Sequence, residues 1–203
     1  MYSANPGLIL GFHGCDIKVR NEVIMNTTTL NPSSNTYDWL GNGIYFWENN
    51  SQRALKFAEE LRDNPLKSKK SSIKTPSVLG AIIDLGNCLD LLDSEYLDLV
   101  KESYKNLVAS YNTVGLEIPQ NLKGRKTDEL LVRNLDCAVI ENLHKNNKVS
   151  EFDSVRGVFV EGQTLYPTCG FNEKNHIQIC IRNPNCIKGF FLPREINKGY
   201  NRV

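Results

Sequence analysis

The chain has 203 residues, a net charge of +1, a hydrophobic fraction of 40% and a charged fraction of 23%. That length favours one domain with its own core, held by neither disulfide nor metal, and the neutral balance excludes a surface built wholly to grip a polyanion. Residues 1–7 lack the basic and apolar blocks of an export signal, and no run of about 18 apolar residues occurs; the expectation is a cytoplasmic protein without a membrane partner. Six cysteines (Cys15, Cys88, Cys137, Cys169, Cys180, Cys186) form no Cys-x-x-Cys pair, which predicts reduced thiols and no metal site.

In chain order, residues 8–12 read as a short apolar strand ending in a turn at His13-Gly14. Residues 19–25 have helical spacing, and 27–35 are a loop of Thr, Asn, Pro and Ser. Gly41-Asn42-Gly43 predicts a turn that feeds an aromatic strand, Ile44-Tyr45-Phe46-Trp47. Asn50-Ser51 caps a helix over 52–61, with Ala54, Leu55, Ala58 and Leu61 on one face. Residues 65–77 are polar and lysine-rich, an exposed connection, and 78–85 read as a buried strand. Asp93-Ser94 opens a helix with Tyr96, Leu97, Val100, Tyr104 and Leu107 at helical spacing. A loop follows over 115–124. Thr127 is read as the cap of a second long helix to about residue 145, with Leu130, Leu131, Leu135, Val139 and Leu143 inside. Strands are predicted at 155–160, 177–181 and 187–192. Strands at both ends enclose helices, so the class is α+β with mainly antiparallel pairing, and residues 1–203 form a single domain.

Three pieces carry chemistry: Gly11-Phe12-His13-Gly14, Gly41-Asn42-Gly43-Ile44-Tyr45-Phe46, and His176-Ile177-Gln178-Ile179. In this order they resemble the ADP-ribosyltransferases of the diphtheria-toxin and poly(ADP-ribose) polymerase class, which set a His, a Tyr and usually a Glu on three strands. The stretch from Tyr37 to Trp47 resembles compact bacterial toxin-like members of that superfamily. The resemblance implies a split antiparallel β-sandwich, two small sheets around an NAD-binding cleft with flanking helices. It also implies an NAD-dependent transferase that moves ADP-ribose to a protein or nucleic-acid acceptor and releases nicotinamide. A toxin or phage-defence role, with an antitoxin partner, comes with it.

By the same resemblance His13 holds a ribose hydroxyl, the Gly14 backbone reads the carboxamide, and Tyr45 stacks on the nicotinamide. Gly14 suits close approach because it lacks a Cβ, and Gly41 and Gly43 permit the turn that aims Tyr45. Tyr37 covers the adenine. Gln178 stands where the class usually has Glu, so it accepts from a ribose hydroxyl but brings no charge to the oxocarbenium-like transition state. Three readings follow. The site works as His13-Tyr45-Gln178 with Glu161 contacting the acceptor; Glu161 or Glu48 supplies the missing charge; or the domain binds without catalysing. The first is preferred, with NAD glycohydrolase and a non-catalytic NAD, ADP-ribose or protein-binding module as alternatives. Counting on from Tyr45, the class's serine and second stacking tyrosine fall on Arg53 and Lys56, with Phe57 one step further as the replacement ring. His176 reads as a strand-edge residue and His144 as a helix-end residue. Lys67, Lys69, Lys70 and Lys74 read as a solvated loop, the alternative being contact with nucleic-acid phosphates.

Overall fold

The computed structural model describes residues 7–64, 73–124, 127–146 and 151–201. The first strand, β1 (Ile9–Asp16), leads directly into α1 (Ile17–Ile24), and β2 (Ile44–Glu48) into α2 (Ser51–Asp63). Then come β3 (Pro76–Ile83), β4 (Cys88–Asp90), the long α3 (Ser94–Val114), a β5 (Asn121–Lys123) and β6 (Leu130–Arg133) ribbon, and α4 (Asn134–Asn146). The chain closes with β7 (Ser154–Phe159), β8 (His176–Ile181) and β9 (Ile187–Phe191). Seven strands form one sheet in the order β4-β7-β8-β2-β1-β3-β9. Every pairing in it is antiparallel except β4 with β7. The α+β class is therefore met.

The expected two small sheets are instead one hydrogen-bonded sheet with a narrow seam. β1 pairs with β3 over eight residues, from Ile9↔Ile83 to Asp16↔Pro76, but with β2 over two, Gly11↔Glu48 and Phe12↔Trp47. Beyond Phe12 the ladder between β1 and β2 stops, so the strands part at His13.

His13-Gly14 was expected to end the strand, yet β1 runs on to Asp16. The cause is Asp16 itself. Its carboxylate accepts from Lys74 N and Thr75 N at 2.8 and 2.9 Å, and also caps α1 by accepting from Lys18 N. The helix predicted from Thr127 begins seven residues later. Residues 130–133 are β6, because Leu122 and Val132 pair across a two-stranded ribbon and Thr127 Oγ1 caps only a local turn to Glu129 N. Lys67, Lys69 and Lys70 lie outside the described residues.

Alternation along the strands divides the interior in two. On one face Ile44, Phe46, Leu79, Ala81, Ile83, Ile179 and Ile181 pack with Val23 of α1. On the other, Leu40, Val155, Phe159 and Cys180 pack with Ile140 and Leu143 of α4, and α2 lies over β1 through the fully buried Ala54 and Ala58. All six cysteines are free, and five are buried. No helix among the described residues is long and apolar enough to cross a membrane.

Candidate functional site

The seam brings His13 to Tyr45. The His13 Nδ1 lies 2.8 Å from the Tyr45 carbonyl oxygen, which can only accept, so Nδ1 carries the proton and Nε2 keeps a lone pair. Burial lowers the His13 pKa against the opposing pull of that hydrogen bond, so the ring is neutral at pH 7 and Nε2 is an acceptor. A side chain thus bridges β1 and β2 where the backbone ladder ends.

Tyr45 is committed differently from the expected stacking plate. Its hydroxyl donates to the Gly41 carbonyl at 2.6 Å and accepts from Leu40 N at 2.9 Å, and its ring packs beside Leu40 and Cys180. Burial pushes the phenol well above its ordinary range, keeping it protonated. The residue locks the turn that precedes its own strand. Gly41 turns with φ +77°, a conformation side chains resist, and a Cβ on Gly43 would come within 2.5 Å of Cys180 Sγ.

Gly14 faces α2 at contact distance, since a Cβ there would overlap the Ala54 carbonyl. Tyr37 sits half-buried in the loop before β2, with no hydrogen bond to another described residue. Phe57 pairs with Trp47, ring centres 4.8 Å apart, rather than with Tyr45.

Gln178 lies in β8 opposite Trp47 of β2 and Gly157 of β7, on the face shared by Tyr45, Trp47 and Cys180. It is half-buried and makes no side-chain hydrogen bond to another described residue. The space over Gly157 is filled by Leu40 and Phe159, which a Cβ there would meet at 3.0 and 3.4 Å. Glu48 points to the opposite face, where both its oxygens take Arg156 at 2.6 and 3.1 Å and Arg156 also meets Asp90 at 3.0 Å. It is therefore not the acid beside Gln178.

Glu161, expected to be a loop acid facing an acceptor, is instead held by α2. Arg53 Nη2 reaches it at 3.0 Å, with Lys174 at 3.9 Å and His176 Nδ1 at 4.0 Å. His176, expected at a strand edge, opens β8 and is only 6% exposed. It lies between Trp47 and Phe159, at 6.4 and 5.7 Å between ring centres, and its Nδ1 donates to the Lys174 carbonyl at 2.5 Å. Burial lowers its pKa, so it too is neutral. Trp47 Nε1, Arg53 Nε and Nη1, and His176 Nε2 are buried without a hydrogen-bond partner. Such orphans cost about 1–3 kcal/mol each, so this cluster is where the fold spends stability.

Sequence reasoning met Arg53 only at the position of the class's serine and His176 only as a strand-edge residue, and joined neither to the other. The signal for Arg53 was its place on a helix face with Phe57 and Glu60, at i+4 and i+7. Nothing in the spacing foretold His176. Arg133 was missed too; its guanidinium stacks on Trp39 at 4.1 Å and on Phe159 at 5.0 Å. Arg133, Trp39 and Phe159 line a cavity of about 380 Å³ with Tyr104 and Leu40, which neither Arg53 nor His176 touches. A second cavity, about 450 Å³, is lined by Asn35, Asn42, Gln120, Asn134 and Glu141 and touches none of His13, Tyr45, Gln178 or Glu161. Among the described residues no His, Cys, Asp and Glu group of three or more is arranged to hold a metal.

Over 196 residues the chain is 29% identical to the uncharacterized protein MJ0359 of Methanocaldococcus jannaschii, covering 87% of this chain and 83% of that protein. No protein-family model and no solved structure matches the chain.

Proposed function

We propose that the protein is an NAD⁺-dependent mono-ADP-ribosyltransferase, with NAD⁺ as substrate and a protein or nucleic acid as acceptor. The observation that supports this reading is the parted seam. His13 and Tyr45 are joined across it at 2.8 Å, and Gln178 sits one strand away on β8, the order in which the resembled class sets its three residues. In this reading the seam is the cleft of a split sandwich. His13 Nε2 accepts from a ribose hydroxyl, Tyr45 fixes the strand that carries it, and Gln178 holds the ribose as the nicotinamide bond loosens. Developing positive charge on the ribose is met by dipoles alone at Gln178, so the reaction is slow unless Glu161 leaves Arg53. A toxin or phage-defence role, an antitoxin partner and a cytoplasmic site of action accompany the reading through the resemblance.

A second reading, a non-catalytic module that binds NAD⁺ or ADP-ribose, is favoured by one observation. The neutral Gln178 and the Arg53-bound Glu161 leave no free carboxylate at the site. The test is incubation with NAD⁺ labelled on the adenylate phosphate, with and without cell extract, following free nicotinamide and macromolecule-bound label together. Bound label that His13→Ala abolishes upholds a transferase. Nicotinamide without bound label makes the protein a glycohydrolase. Binding without either product makes it a module, and absence of any NAD⁺ effect on stability overturns the reading.

A further inference from the structure

Trp47, Arg53 and His176 each hold a buried polar atom without a hydrogen bond, and the three residues are neighbours. The Arg53 guanidinium carbon is 5.7 Å from the Trp47 ring centre, and the Trp47 and His176 rings are 6.4 Å apart. None of the three residues exposes more than 6% of its surface. Their hydrogen-bonding capacities differ. Trp47 and Arg53 only donate, whereas His176, its Nδ1 proton spent on Lys174, offers a lone pair at Nε2. Arg53, Lys174 and Arg133 stand near Glu60 and Glu161, so charge does not choose the ligand; a phosphate dianion only accepts and leaves the His176 lone pair unmet. A neutral group that both accepts and donates, flanked by aromatic surface from Trp47 and Phe57, answers both kinds of unmet demand.

We propose that Trp47, Arg53 and His176 form a subsite for a neutral primary carboxamide on an aromatic ring. The carboxamide oxygen accepts from Trp47 Nε1 or Arg53, and its amino group donates to His176 Nε2. Resting on the NAD⁺ reading above, the nicotinamide carboxamide is read here by side chains. Glu161 and Lys174, both on the connection from β7 to β8, tie Arg53 and Glu60 of α2. A ligand enters by parting that connection from the helix.

The chain's two tryptophans make the test direct. Trp39 Nε1 already donates to the Leu131 carbonyl at 3.0 Å, so its indole resonance serves as an internal control for that of Trp47. Protein labelled with ¹⁵N in the indoles is titrated with nicotinamide, benzamide and nicotinic acid, the two signals being assigned with Trp47→Phe. The expected result is a shift of Trp47 alone with both amides, and at least about tenfold weaker binding of nicotinic acid. In Trp47→Phe the amides bind at least about tenfold more weakly. An unmoved Trp47 signal, equal binding of the acid, or unchanged amide affinity in Trp47→Phe overturns the subsite. NAD⁺ cleavage with an unmoved Trp47 refutes this inference and leaves the transferase reading standing. A shifted Trp47 in a protein that neither binds nor cleaves NAD⁺ upholds the carboxamide subsite and removes its assignment to NAD⁺.

Discussion

Arg53 and Glu161 meet at 3.0 Å with side-chain exposures of 7% and 13%, and an ion pair that dry is judged by what its loss leaves behind. Removing one partner strands the other charge, which costs about 3–5 kcal/mol in buried pairs, while replacing both by apolar groups is often near neutral. Here Lys174 and Glu60 stand close enough to take up part of the stranded charge, so the lower end applies. Glu161→Gln is expected to lose about 3 kcal/mol in denaturant unfolding, and the Arg53→Met, Glu161→Leu double variant less than either single change. Additive losses in the double variant would mean that the two side chains do not act as a pair. Tyr45→Phe is a second check at this scale. It leaves Leu40 N and Gly41 O without their partner and is expected to cost about 1–3 kcal/mol. A loss within a few tenths of that of an exposed Tyr→Phe change, measured on Tyr200, would show that water takes over both bonds.

Elements were legible wherever a local signal had no rival. Asp93 caps α3 by accepting from Glu95 N at 2.9 Å, and Gly115 ends it with φ +68°, both of them letters that mark helix ends. The three closing strands were equally plain from their alternation. What misled was residues 127–133, where a capping letter and leucines at helical spacing matched a helix that pairing with residues 121–123 overrides. β4 is three residues long and too short for a period to register. At the site, His13, Tyr45 and Gln178 were legible as letters in order, but their commitments were not. That Tyr45 is tied to its own turn, and Glu161 to a residue 108 positions away, depends on long-range packing that no spacing encodes. The packing of α2 on β1 makes a prediction of its own. Gly14 meets the Ala54 carbonyl so closely that Gly14→Ala must move the helix, at a cost expected to exceed about 4 kcal/mol. Hydrogen exchange would then rise along residues 51–63 before the rest of the chain. Unchanged protection there would mean that helix and strand are not in the contact described.

His176 is buried and His13 and His144 are half-buried, and each has its pKa lowered first by desolvation from the ordinary value of 6.5. In the folded protein His13, His144 and His176 are neutral, with Nδ1 on the carbonyls of Tyr45, Ile140 and Lys174. Above pH 6.5 the folded and unfolded chains bind the same number of protons at these sites. Below it, the unfolded chain takes up protons that the folded chain refuses, so stability falls with pH until the folded values are reached. The limiting slope is about 1.4 kcal/mol per pH unit for each histidine. Carboxylates act in a separate window. Glu141, lowered by Arg182 and Asn42 despite its desolvation, adds stability that is lost only as the pH falls below about 4.5. The melting temperature is therefore expected to fall between pH 7.5 and 5.5, above the window in which Glu141 acts. His144 gives the control, because it lies on α4 against Phe152 and away from the seam. His144→Gln is expected to remove about one of three protons from the slope while leaving the surroundings of His13 and His176 unchanged. A melting temperature that stays level over that range would mean the histidines titrate alike in both states. In that case neither His13 nor His176 is held as a neutral acceptor, and the roles assigned to their Nε2 atoms fall together.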